Sequence, residues 1–500
     1  MADKSQLDYD VVIIGAGISG INAAYRVQTE APKGTTYCIL EGRDSLGGTW
    51  DLFRYPGIRS DSDVYTFGFS WSPWLRNASL GSGPQIKEYL VESAQKHGID
   101  KAIRYRHHVT SADWSSTDHC WTLNIDVNSD SSASGEGDSD ASTNTSIVLR
   151  ARHIMLGTGY YNYEEPLQTT IPGIENFQGK VIHPQFWPED YDYTGKEIVV
   201  VGSGATAVTL LPSLLDRAKR VTMLQRSPTY IFSIPSRSRI TALLQALLPA
   251  MLVHHFNRIN WIVKSYVMIW FCRTFPGAVK ALVRRRTIRE LPPQISVDPH
   301  FKPRYNPWEQ RFCASMDGDF FAALRSGRAD VVTDHIRTVT ESAIELESGQ
   351  VLHPDVIVTA TGLKLRFGGG VRMTIDGGEP VNLASKFTWK TVMLQDLPNL
   401  FFMTGYENAS WTLGADVAAR LFVRMLGIMR SANATMVVPR VPEGVKMPSK
   451  GMMSLSSTYL KNAGEVLPHG GTGQWSPKKS YLHDMYGAAW GDISTDLQME

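Results

Sequence analysis

Two places along this chain share one order of apolar and polar positions. Tyr9 to Ile14 (YDVVII) is a continuous β-branched run, which predicts a short strand buried on both faces. Gly15, Gly17 and Gly20 follow at once, and Ile21 to Gln28 reads as a helix. The order returns at Glu197 to Val201 (EIVVV), followed by Gly202, Gly204 and Ala207 and a helix to about Leu215. Each unit then continues into a second strand, Thr36 to Leu40 and Arg220 to Leu224. Strand, glycine turn, helix and strand predict a βαβ nucleotide-binding unit, twice.

Elsewhere the pattern predicts a helix over Ile86 to His97, strands over Ile103 to Asp113 and Trp121 to Val127, and strands at Ile147 to Arg152 and His153 to Leu156. Asn128 to Ser146 is nearly free of apolar residues and reads as a disordered hairpin tip. Val356 to Ala360 predicts a strand, Pro398 to Tyr406 runs from strand to turn, and Asn408 to Leu426 continues as a helix. Trp411 on that helix reads first as packing and second as pocket lining. The tail from Val441, rich in Gly, Pro, Ser and Lys, reads as loosely packed.

Between Ile240 and Arg286 the pattern changes. Ile240 to Val253 and Asn260 to Cys272 are strongly apolar, helix-like and ringed by arginine and lysine. Three readings stand side by side: helices packed on the second nucleotide domain, a cap over a substrate entrance, and an interfacial patch on anionic lipid.

Composition narrows this picture only a little. The 500 residues suffice for two or three domains, and a net charge of +1 gives no electrostatic reason to expect a nucleic-acid partner. Cys38, Cys120, Cys272 and Cys313 are far apart and form no CxxC, which argues against a disulfide framework, a metal site and a dithiol redox pair. The polar N-terminus runs straight into a strand without a signal-peptide order, and no run is clean enough to span a membrane. A cytoplasmic protein is expected, with membrane association open through residues 240–286.

The two glycine turns differ where their second strands end. Glu41 stands at the first, able to accept from ribose hydroxyls and to repel a 2′-phosphate, so that site suits FAD or NAD. Arg226 and Ser227 stand at the second, where a guanidinium pairs with a 2′-phosphate. The division expected is FAD first and NADPH second. Gly48, Thr49 and Trp50 follow the first unit as a backbone able to run along a flavin. Thr206 completes the second turn. The charged loop Phe53 to Asp63 reads as solvated surface.

Two long patterns carry a resemblance. Phe177, Gly179, His183, Trp187 and Pro188 fit F-x-G-x-x-x-H-x-x-x-W-P, and Gly47, Gly48, Trp50, Tyr55, Pro56, Gly57 and Asp61 fit [A/G]-G-x-W-x-x-x-x-[F/Y]-P-[G/M]-x-x-x-D. The chain resembles the type I Baeyer–Villiger monooxygenases over about Tyr9 to Met485, and most closely the ethionamide-activating branch, whose N-P-W-x-Q-R stretch is matched by Asn306 to Arg311. The resemblance implies an α/β fold with two Rossmann-like domains. The FAD domain is discontinuous (1–163 and 355–500, with the C-terminal tail), and the NADP domain is inserted at 164–354 with a helical insert at about 236–304. The glycine turns at Gly157-Thr158-Gly159 and Thr361-Gly362 mark where the chain leaves and rejoins the FAD domain.

The resemblance further implies that NADPH reduces FAD, that oxygen then forms a flavin C4a-peroxide, and that one oxygen atom is inserted beside a ketone carbonyl to give an ester or lactone. Thioether oxidation is an expected side activity. Arg311 matches the arginine that faces the flavin in this family, and Asp61 is expected to orient it. Gln310 stands where relatives carry lysine. His183 reads as domain-orienting first and proton-shuttling second. An N- or S-hydroxylating flavin monooxygenase is the alternative, against which Trp187-Pro188 argues. A redox sensor without turnover is a third reading.

Overall fold

The computed structural model describes residues 6–76, 78–128, 145–452 and 462–500; the expected hairpin tip lies almost wholly outside them. Tyr9–Ile14 is the strand expected, and the reason for its unbroken apolarity is plain. Val11 and Ile13 pack under the helices Ile18–Glu30 and Trp411–Ser431, while Val12 and Ile14 pack on the opposite face. Tyr37–Leu40 pairs with it in parallel on one side and Thr145–Leu156 on the other. Thr145–Leu156 is one strand rather than two. Its first half pairs antiparallel with Cys120–Val127, and its second half runs parallel to Tyr9–Ile14. The expected strand from Ile103 to Asp113 is broken at Arg106, where φ is 59°. Ile103–Arg104 pairs with Tyr37–Leu40, and His107–Ser115 turns away to join the antiparallel meander.

The second sheet is wholly parallel, in the order Ala329–Thr333, Arg220–Gln225, Glu197–Val201, Val356–Thr359, Lys180–Ile182. Val356–Thr359 therefore belongs to this sheet, and the chain returns to the first domain after Thr359 rather than at 355. In both sheets the glycine turn leaves a central strand flanked on one side by the next strand of its βαβ unit and on the other by a strand from much later in the chain. That is the crevice where nucleotide ligands bind in open α/β sheets.

The halves of the first domain, some 390 positions apart, are joined by a buried ion pair. Arg26 Nε lies 2.8 Å from Asp416 Oδ1, each side chain 4–5% exposed. Arg26 also pairs with Glu30 and Asp416 with Arg420, so this link is part of a four-residue charge network. The domains also meet closely at Gly57 (φ 77°), where a Cβ would fall 1.9 Å from Ser213 Oγ.

Two expectations need correction. The insert breaks at Leu248-Pro249, not after Val253. Arg239–Leu247 is followed by one helix, Ala250–Thr274, and then by Pro276–Glu290. Proline has no N–H to continue the first helix and sits at the N-cap of the second. The described part of the C-terminal tail is not loose. Trp475 is 1% exposed with its Nε1 donating to Asp496, and Tyr481–Trp490 packs on Trp411–Ser431, where Arg424 donates to the carbonyl of Ala488.

Candidate active site

A cleft of about 1350 Å³ runs between the two glycine turns, more than the roughly 300–1,000 Å³ of a site for one small ligand. Its first end is crowded. Gly15 has φ 101°, and a Cβ on Gly20 would fall 1.9 Å from the Gly15 carbonyl oxygen. Gly48 (φ 56°) closes over Gly17, whose added Cβ would lie 3.6 Å from the Gly48 Cα. The helix beginning at Ile18 has no side-chain cap and no acid in its first turn, so its N–H groups remain for an anion. Glu41 is 7% exposed. Its oxygens accept from the N–H of Ala16 at 2.7 Å and of Arg43 at 3.0 Å, and burial pushes its pKa up. Each oxygen keeps a lone pair for a ribose hydroxyl. Thr49 Oγ1 lies 3.0 Å from Tyr163 Oη, and Trp50 meets Phe67 edge-on at 5.6 Å.

The second end is open. Gly202 has φ 138°, and a Cβ there would meet the Ala360 carbonyl at 2.2 Å, whereas a Cβ on Gly204 would meet nothing within 4 Å. Ala207 is fully buried under the sheet, which explains why a methyl is tolerated at that place. The helix from Ala205 also starts without a side-chain cap or acid. Arg226 and Ser227 are exposed on the cleft wall, and Ser203 Oγ donates to the Ser227 carbonyl at 2.8 Å. Thr206 hydrogen-bonds the buried Tyr55 phenol, whose pKa burial pushes up to about 12.

Arg311 and Asp61 line the same cleft between these ends. Arg311 is held by backbone, with Nε donating to the Glu407 carbonyl at 3.0 Å and an Nη donating to that of Tyr406 at 2.7 Å. Its other Nη has no partner among the described residues. Asp61 is exposed on the cleft wall, with protein packed around its carboxyl. Partial desolvation by that packing pushes it up to about 6, against the pull of Arg311 and Arg59. No hydrogen bond or ion pair joins Asp61 to Arg311 among the described residues, so the carbonyls of Tyr406 and Glu407 fix the guanidinium and Asp61 acts on it through space.

The loop carrying Asp61 is not the solvated surface its composition suggests. Arg59 is buried in an ion pair with Asp319 and donates to the Ala314 carbonyl at 3.1 Å, which fastens the loop to the strand following Arg311. Asp63, also buried, caps the Val64–Phe67 turn by accepting from the Thr66 N–H at 2.8 Å.

His183 bridges segments. Its Nδ1 accepts from the Gln185 N–H at 3.3 Å, which leaves Nε2 to donate to the Gly362 carbonyl at 3.3 Å. Burial lowers its pKa, so the neutral tautomer joins the signature to the turn where the chain rejoins the first domain. Gly179 is where a Cβ would strike the Phe177 ring (2.5 Å) and the Asp355 carbonyl (2.6 Å). Trp187 packs edge-on to Tyr193, and the Pro188 carbonyl accepts from Tyr191.

Sequence reasoning left Trp411 between packing and pocket lining, and missed two participants, Lys478 and Asp51. Trp411 both packs and lines the cleft, stacked on Tyr160 at 5.1 Å with Nε1 donating to Ser19 Oγ at 2.8 Å. Lys478, from the tail, donates to the carbonyls of Thr404 and Gly414, and its ammonium lies 5.0 Å from the centre of the Tyr406 ring. Burial pushes it down to about 7. Asp51, 1% exposed, binds Arg43 and Lys87 beneath the Gly47-Gly48 turn. Only the fold shows that these polar groups face inward; no local motif marks them.

The flavin-binding monooxygenase-like family matches residues 79–271, and the NAD(P)-binding Rossmann-like domain matches 13–78. Among curated relatives, the FAD-containing monooxygenase EthA of Mycolicibacterium smegmatis is 43% identical over 479 residues, covering 95% of this chain and 94% of the relative. Among solved structures, oxidized steroid monooxygenase bound to NADP superposes with a TM-score of 0.75 at 19% identity, covering 98% of this chain and 99% of that one. Open cyclohexanone monooxygenase superposes with a TM-score of 0.73 at 20% identity, covering 99% and 100%. FAD and an NAD(P) dinucleotide are the cofactors shown for this chain, and the uncapped helix starts and glycine turns of the cleft fit two such pyrophosphates.

Proposed function

This chain belongs to the FAD-containing monooxygenase family of EthA, the branch that its Asn306 to Arg311 stretch resembles, and on that premise we propose that it inserts oxygen beside a ketone carbonyl. The balanced reaction is ketone + O₂ + NADPH + H⁺ → ester or lactone + NADP⁺ + H₂O. FAD supplies the oxygen activation and NADPH the reducing equivalents. In this reading the Gly15 to Gly20 turn, Glu41 and Gly48 to Trp50 hold FAD, while Gly202 to Ala207, Arg226 and Ser227 hold NADPH.

The observation that carries the reading is the anchored guanidinium of Arg311 where the two nucleotide ends of the cleft meet. Two backbone carbonyls fix it, and one Nη is left toward the cleft. A ketone carbonyl oxygen gains negative charge as its carbon is attacked, and a preorganised cation stabilises that charge without reorganising. Such a donor is worth about 2.7–4 kcal/mol, or 10²–10³ in rate. Asp61 and Arg59 set the local field, and Trp411 with Tyr160 forms an aromatic wall against water.

The test is Arg311→Ala, followed by oxygen uptake, NADPH consumption and product analysis on linear, cyclic and aryl ketones and a thioether. We expect bound FAD and loss of ester by at least about 10²-fold. Unchanged ester turnover refutes the role of Arg311. Wild-type protein that makes sulfoxide or N-oxide but never an ester refutes the ketone reading in favour of the N- or S-hydroxylating alternative.

A further inference from the structure

The helical insert is turned inside out. Toward the protein, Ala250–Thr274 presents His254, Asn257 and Arg258, all 2–8% exposed. His254 Nδ1 lies 3.3 Å from the Trp74 carbonyl, Asn257 accepts from Thr241 Oγ1 at 3.1 Å, and Arg258 donates to the carbonyls of Tyr65 (2.7 Å) and Gly68 (3.0 Å). Away from the protein it presents Leu252, Phe256, Ile259, Val263, Val267 and Trp270, each 51–63% exposed. Their spacing of three and four makes one stripe along a helix about 38 Å long. A helix that only packed on the nucleotide domain would place these two faces the other way round.

The stripe does not stand alone. Ile240, Leu243 and Leu247 form a second exposed apolar row on the preceding helix, and Leu482, Tyr486 and Trp490 a third on Tyr481–Trp490. The Leu482 N–H donates to Tyr266 Oη at 3.1 Å, so the start of that last helix adjoins the long one. Apolar surface on this scale marks an interaction site.

Charge selects the partner. From Arg237 to Arg289 the sequence holds ten Lys and Arg and no Asp or Glu, in a chain whose totals are 50 and 49. Arg284 pairs with Asp298 and Arg286 with Glu290, but Arg273, Arg285 and Arg289 have no acidic partner among the described residues. A second copy seated on this face would set the unpaired Arg273, Arg285 and Arg289 against their own counterparts, a repulsive arrangement. An anionic lipid surface answers both features, because acyl chains take up the apolar stripe and headgroups meet the basic rim. Among the described residues no helix is long and apolar enough to cross a membrane, so the insert lies in the interface plane.

We propose that the face formed by 239–290, together with Tyr481–Trp490, docks this protein on an anionic bilayer. The polar side of the long helix grips the segment Tyr65 to Trp74, just beyond Asp61, so docking would set lipid beside a wall of the cleft. None of the residues invoked takes part in the proposed oxygen insertion, so this inference stands or falls separately from it.

The experiment is flotation of the FAD-loaded protein with phosphatidylglycerol vesicles and with phosphatidylcholine vesicles, at low and high salt. We expect binding to the anionic vesicles, weakened at least about tenfold on the neutral ones and at high salt, with a blue shift of tryptophan emission on binding. The variant F256E/W270E should lose flotation while keeping FAD and NADPH oxidation. Protein that stays with the buffer overturns the proposal, as does equal flotation on both lipids. So does a wild-type oligomer that the variant dissolves while neither form binds vesicles. The lipid comparison needs no variant and decides the matter even if F256E/W270E fails to fold.

Discussion

The two glycine turns follow one recipe and end in opposite conditions. At the first, Gly17 is roofed by Gly48, Gly20 touches the Gly15 carbonyl, and Glu41 is buried with both oxygens in use. At the second, Gly204 faces open space and Arg226 and Ser227 stand exposed on the wall. A nucleotide enclosed by its own loop dissociates slowly, and one bound at an open edge exchanges. That difference suits FAD kept through every turnover and NADPH replaced in each.

Gly20→Ala should break the comparison at its root. With a Cβ 1.9 Å from a backbone oxygen, the protein should purify colourless and inactive, read by flavin absorbance. Gly204→Ala should stay yellow, since its Cβ meets only space that a pyrophosphate would fill, and should show its defect in the KM for NADPH. Equal flavin loss in both would erase the distinction drawn here.

Arg226→Ala sharpens the second site. We expect the KM for NADPH to rise about ten- to a hundredfold, the worth of a charge-assisted contact, with the KM for NADH nearly unchanged. Parallel rises for both would remove Arg226 from phosphate recognition.

Asp61 tests the space between the sites through pH. Its pKa is raised to about 6, so its negative charge is fully present well above pH 6 and lost as pH falls through that value. The turnover rate should drop severalfold over that window in the wild type and lack this limb in Asp61→Asn. Stability runs in the opposite sense. The fold favours the neutral acid, so protonation stabilises it below the ordinary carboxylate range, and that contribution disappears as pH rises through about 6. Asp61→Asn should therefore raise Tm more at pH 8 than at pH 4, and a uniform shift would contradict this.

The smallest effect is expected at His183. His183→Asn should cost about 1 kcal/mol of stability, the worth of a neutral hydrogen bond, with the pH–rate profile unmoved. A displaced profile would make His183 a proton carrier instead.

Some of this site could be read directly. Gly15, Gly17, Gly20 and Glu41 announce themselves because a tight turn, an approach to phosphate and a strand end are all met within about thirty residues. Arg311 could be located by resemblance, yet what holds it could not. Its anchors are the carbonyls of Tyr406 and Glu407, almost a hundred positions away, and a carbonyl looks the same in every residue. The charged loop misled for a related reason, since the partner that buries Arg59 is Asp319, 260 positions on.

The sequence by itself determined the two βαβ units and the separation of the insert from both, because each rests on local periodicity or glycine conformation. Tertiary structure alone decided that Asp61 and Arg311 share one cleft without touching, that Lys478 returns from the tail to lie beneath Tyr406, and that the long insert helix turns its polar side inward. Those outcomes depend on which distant segments exclude water from which groups, and that is fixed only when the layers close.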